Sequence, residues 1–202
     1  MKNLANIIFA FGLLLLGACG NEKQNNETTI KKVLVGLPAP FHRHQKIEVG
    51  PDLIFDVFTW GRGADSTSSL LILRSDSSRN DFSIASSANI DGKLKEVFNT
   101  DMDTDGNPEI VIYYTENEPY HSAQILCFEF TGKEANKIRF PDLSNKTLKQ
   151  YRGKDQFFVK EGMLYRNIEL FDEADKEGKK AIGKKNIRYF LKGNSFDLEE
   201  VE

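Results

Sequence analysis

Hydrophobic and polar positions divide the chain into three stretches. Ile7 to Leu16 is one unbroken apolar run, Gly20 to Glu27 carries no large apolar side chain, and from Val33 onward short runs rich in Val, Ile, Phe and Tyr alternate with Gly, Asp, Asn and Ser. Short runs of that composition, bounded by turn residues, are the pattern of β-strands. Strands are expected over Leu53–Trp60, Ser69–Arg74, Leu94–Asn99, Glu109–Tyr114, Ala123–Phe130, Phe157–Lys160, Met163–Leu170, Ile187–Leu191 and Ser195–Leu198. Phe55-Asp56-Val57-Phe58 and Phe128-Glu129-Phe130 alternate as strands with one wet face do. Lys160-Glu161-Gly162 and Lys192-Gly193-Asn194 read as tight hairpin connections. Only Leu143–Tyr151 reads as a helix, with Ser144 as its N-cap. The expected fold is all-β, a mostly antiparallel β-sandwich or rolled sheet with at most one short helix.

The first stretch has the build of a secretion signal, with Lys2 ahead of an apolar core that ends at Leu16-Gly17-Ala18-Cys19. Those four residues resemble the lipobox of bacterial lipoproteins, in which the cysteine thiol is alkylated with diacylglycerol before cleavage. The resemblance implies a signal peptide over 1–18, a lipid-bearing Cys19 followed by a flexible tether to residue 32, and a single domain over 33–202. Two or three acyl chains on one residue hold a protein on a membrane where one would not. The expected location is therefore the bacterial cell envelope, lipid-anchored, at the outer membrane facing the periplasm or the surface. Gly20 stands where an aspartate would signal retention at the inner membrane.

Charge removes one class of partner. The 202 residues hold 27 Lys and Arg against 30 Asp and Glu, a net charge of −3, so no field attracts a phosphate backbone and no nucleic acid is expected. The apolar run is much shorter than the roughly 20 residues of a membrane-spanning helix. With Cys19 acylated, Cys127 has no partner for a disulfide, and its place in Gln124-Ile125-Leu126-Cys127-Phe128 reads as a buried, inert thiol.

The sharpest local pattern is Asp101-Met102-Asp103-Thr104-Asp105-Gly106-Asn107-Pro108-Glu109, which runs directly into a strand. Carboxylates at 101, 103, 105 and 109, with the Asn107 carbonyl, form a set of hard oxygen donors suited to Ca²⁺. The stretch resembles the aspartate-rich turns of FG-GAP and VCBS repeats. The same residues equally describe a turn whose side chains bond their own backbone amides without metal. His42 and His44 share an extended segment and read as a solvated edge rather than a zinc site. Asp172 to Lys185 is a charge run that reads as a solvated loop between strands. No nucleophile elbow, zinc-protease, Cys-x-x-Cys or phosphate-loop pattern occurs in the sequence, so a binding protein is expected rather than an enzyme.

From about Trp60 onward, the order of features resembles the periplasmic inhibitors of invertebrate-type lysozyme, a β-sandwich family. The residues that carry this are Val97 to Ile112, then Tyr120 and the strand Ala123–Phe130, then Tyr151-Arg152-Gly153-Lys154-Asp155-Gln156-Phe157 with Leu164 and Arg166, and finally Arg188-Tyr189. The resemblance implies that a loop inserts into the active-site cleft of a lysozyme, which makes Asn117, Glu118, Pro119 and Tyr120 the partner-binding residues. The family's Ser-Gly-x-Tyr loop is only partly matched. Tyr120 is kept, while Glu116 and Glu118 bring negative charge toward the target's carboxylates, which costs affinity. Two functions are carried forward: a lysozyme or other envelope protein bound through this loop, or a calcium-stabilised structural or assembly lipoprotein without inhibitor activity.

Overall fold

The computed structural model describes residues 36–61, 67–117 and 122–201. Eleven strands and one six-residue helix run in chain order: β1 (Phe41–Glu48), β2 (Leu53–Trp60), β3 (Thr67–Asp76), β4 (Asp81–Thr100), β5 (Glu109–Glu116), β6 (Ala123–Thr131), β7 (Glu134–Ile138), α1 (Asn145–Gln150), β8 (Gln156–Lys160), β9 (Met163–Phe171), β10 (Ala181–Lys192) and β11 (Ser195–Val201). All named strand pairs are antiparallel and the fold is all-β. β1 to β7 form a meander in sequence order, and a second sheet has the order β11-β10-β9-β8.

The meander rolls up at β4, and the reason lies in how that strand is shared. β3 pairs with Asp81 to Asp91 only, whereas β5 pairs with Gly92 to Thr100. No residue of β4 is therefore flanked on both sides, and the strand bends where its partner changes. A glycine is required at that point. A Cβ on Gly92 would stand 2.3 Å from the Thr115 carbonyl oxygen, well inside contact distance. The roll closes through side chains: Arg43 on β1 donates to the carbonyls of Leu94 at 2.6 Å and Lys95 at 2.8 Å, and Gln45 donates to that of Val97 at 3.0 Å.

Two cores result. Phe55, Val57, Leu70, Ile72, Ile110, Ile112, Phe128 and Phe130 fill the roll. Val111, Ile125, Cys127 and Ile138, on the opposite face of β5 to β7, pack against Phe157, Leu164, Ile168, Ile187 and Tyr189 of the second sheet. β5 is thus covered on both faces, which explains the unbroken apolar run Ile110-Val111-Ile112.

The expected hairpins and the short helix form. Glu161 and Gly162 both take positive φ, 52° and 77°, in a two-residue turn between Lys160 and Met163. Ser144 caps α1 by accepting from the Thr147 N–H at 3.2 Å, although the helix spans less than Leu143–Tyr151. Three strand segments go beyond the sequence pattern: β1, the first half of β4, and β7. The segment holding His42 and His44 is the edge strand β1, and His44 Nε2 donates a 2.6 Å hydrogen bond to Asp56 and stacks on Phe58. The charge run is more organised than a solvated loop. Buried Arg152 donates to the carbonyls of Glu173 at 3.3 Å and Asp175 at 3.0 Å, and so fixes the backbone between β9 and β10.

Candidate functional site

The aspartate turn links β4 to β5, and its backbone takes left-handed geometry at Thr104 (φ 59°) and Gly106 (φ 84°). Asp101 accepts from the Gly106 N–H at 3.2 Å. Asp105 accepts from the Asn107 N–H at 2.8 Å and from its side-chain amide at 2.7 Å. These are the self-bonded contacts of an Asx-type turn. Glu109 differs from the rest because it is fully buried. Its Oε2 accepts from the Thr100 hydroxyl at 2.8 Å and the Met102 N–H at 2.9 Å, while its Oε1 and the Oδ1 of Asp103 are buried without a hydrogen-bond partner.

Burial pushes the Glu109 carboxyl up to about 6, with the neighbouring charges of Asp103 and Asp101 adding to the rise, against the Met102 and Thr100 hydrogen bonds. The ligand oxygens form two overlapping sets, Asp101, Asp103 and Glu109, and Asp103, Asp105 and Glu129, each within 4.8 Å of one another. The side chain of Asn107 is engaged with Asp105. Glu129 is the member that the sequence pattern missed. It lies on β6, directly across from Glu109 in the β5–β6 register, and only that register brings it to the turn. Two partnerless carboxylate oxygens among five carboxylates suit a hard divalent cation of the Ca²⁺ type.

The second candidate is the loop between β5 and β6. Asn117 donates to Asp91 at 2.7 Å, whereas Glu118, Pro119 and Tyr120 lie outside the described residues. The ends of the loop are tightly held. The Glu116 N–H donates to the Ser122 carbonyl at 2.9 Å, and the Ala123 N–H donates to Asp155 Oδ1 at 3.1 Å. Asp155 in turn pairs with Arg166 Nε at 2.6 Å and accepts from the Tyr151 hydroxyl at 2.8 Å. Both members of the ion pair are buried. Burial pushes the Tyr151 hydroxyl up to about 12, with the Asp155 charge adding to it. Tyr151 and Asp155, from the Tyr151–Phe157 run, and Arg166 on β9 therefore form one network at the base of the loop. Beside it opens a cleft of about 760 Å³ lined in part by Ser122, Gln124, Phe140, Leu143, Tyr151 and Arg166.

Cys127 is fully buried, and its thiol is pushed well up by that burial and by the charges of Glu109 and Glu129, as an inert thiol would be. Cys19 lies outside the described residues. Among the described residues, no helix is long and apolar enough to cross a membrane. No known protein family, curated protein or solved structure matches this chain.

Proposed function

We propose that the chain is a lipid-anchored protein of the bacterial envelope that acts by binding, presenting the loop between β5 and β6 to the active-site cleft of a lysozyme. The clamped stem at Ser122 and Ala123 supports this reading most. A stem held by a buried ion pair and a doubly covered strand has little freedom left to lose on docking, which lowers the ordering cost of binding through it. The deciding experiment titrates residues 20–202 against lysozymes of several classes. Saturable inhibition of one class supports the reading, and inertness toward all of them rejects it.

A second reading rests on the partnerless Glu109 Oε1. In it, the aspartate turn holds Ca²⁺ through Asp101, Asp103 and Glu109, with Asp105 and Glu129 alongside, and the domain serves as a cation-stabilised structural module. A cation bound only by the folded state raises stability by about 2.7 kcal/mol at a hundredfold excess over Kd. The melting temperature in millimolar calcium should then exceed that in chelator, and equal values leave only the hydrogen-bonded turn.

A further inference from the structure

The outside of the roll is unexpectedly apolar. Strands with one covered face place polar residues on the other, yet β2 to β4 carry large apolar side chains on both. Inside, Phe55, Val57, Leu70 and Ile72 are fully buried. Outside, the register places Phe58 across from Leu71, Leu73 across from Ile84, and Ile54 and Phe82 on either side of Ser75, with Trp60 at the end of β2. Phe82 is 76% exposed, Ile84 66% and Trp60 41%. The charged side chains on this face have partners: Lys46 pairs with Glu48, and Asp56 accepts a hydrogen bond from His44.

We propose that this face rests on a zwitterionic phospholipid bilayer, the membrane to which Cys19 is anchored. The proposal relies on the lipid anchor of the reading above. Three observations favour a bilayer over a second copy of the chain. The exposed apolar area is roughly 400–500 Å², about half of the roughly 800 Å² per partner that a stable protein interface buries. Cys19 lies 22 residues before Phe41, the first residue of β1 and the cross-strand partner of Trp60, so a lipid on Cys19 would hold this end of the roll at high local concentration near the bilayer. Aromatic side chains among apolar ones, bordered by the Lys46–Glu48 ion pair, suit the boundary between headgroups and acyl chains.

Trp60 is the sole tryptophan, which makes the face its own probe. The chain from Cys19 to Glu202 keeps the whole Gly36–Glu202 unit, and Cys19 can be coupled to a maleimide lipid because Cys127 is buried. On vesicles of phosphatidylcholine and phosphatidylethanolamine containing brominated acyl chains, Trp60 emission should shift to the blue and be quenched. Phe82→Asp with Ile84→Asp should reduce that quenching about threefold or more, with the melting temperature kept. Equal quenching in wild type and variant, or none in either, overturns the proposal. A blue shift that instead follows protein concentration without vesicles, with a doubled sedimentation mass, also overturns it and assigns the face to a second copy. Because the anchor is imposed chemically, the result does not depend on whether Cys19 is lipidated in the cell.

Discussion

Asp155 and Arg166 together take the place of a missing strand beside Ala123. β7 pairs with β6 only from Cys127 onward, so the peptide groups of Ala123 have no backbone partner on that side. Asp155 accepts from the Ala123 N–H, and Arg166 donates to the Ala123 carbonyl at 3.5 Å. A buried ion pair is weak evidence of net stability, but the loss of one partner leaves an uncompensated charge.

Arg166→Met should therefore destabilise the domain by about 3–5 kcal/mol. Replacing Asp155 and Arg166 together by apolar residues should cost less than the sum of the single changes. Urea unfolding of the four proteins in a double-mutant cycle measures the coupling, and additive losses would show that the pair does not act as a unit.

Glu109 predicts an unusual pH dependence in chelator. Its folded carboxyl titrates at about 6 against an ordinary 4.5, so between those values the folded state holds more protons than the unfolded state. This contribution to stability is present in full below pH 4.5 and is lost as pH rises through 6. It amounts to about 2 kcal/mol. Glu109→Gln should remove this fall and stabilise the cation-free protein at pH 7 by up to about 2 kcal/mol, as read by urea midpoints at pH 4.5 and pH 7.

Gly92→Ala should destabilise the domain by about 3 kcal/mol, since the added methyl would meet the Thr115 carbonyl, a backbone atom that cannot swing aside. Gly50→Ala, where a Cβ meets nothing within 4 Å, is the control and should shift the thermal midpoint little.

If the loop enters a lysozyme cleft, Tyr120→Ala should weaken binding by about 2 kcal/mol or more. Glu118→Gly should strengthen it by relieving repulsion against the target's carboxylates. Inhibition titrations of wild type and both variants test this directly, and three equally inert proteins would exclude the loop as the contact.

Cys19→Ser should release the protein from the membrane into the soluble periplasmic fraction. Detergent phase partitioning reads the outcome. Continued membrane attachment, with no build-up of unprocessed protein, would remove the lipid from Cys19.

Local signals were enough to identify most of the strands, because alternation and turn chemistry act within a few residues. Phe128-Glu129-Phe130, Glu161-Gly162 and the Ser144 cap are of this kind, and so is the aspartate turn as a turn. What lay beyond reach depends on pairing between distant segments. β1 and the serine-rich first half of β4 have weak patterns of their own and become strands through the neighbours they meet. Glu129 joins the carboxylates through register alone, and Gly92 matters only because Thr115 passes so close. Arg152 and Arg166 belong to a recognisable pattern, but only the fold surrounds each with acceptors. The chain thus encodes its strand-forming segments and its turn in local pattern. The tertiary structure decides which faces are covered, which carboxylates converge and which apolar side chains are left facing outward, because burial and charge depend on neighbours far apart in the sequence.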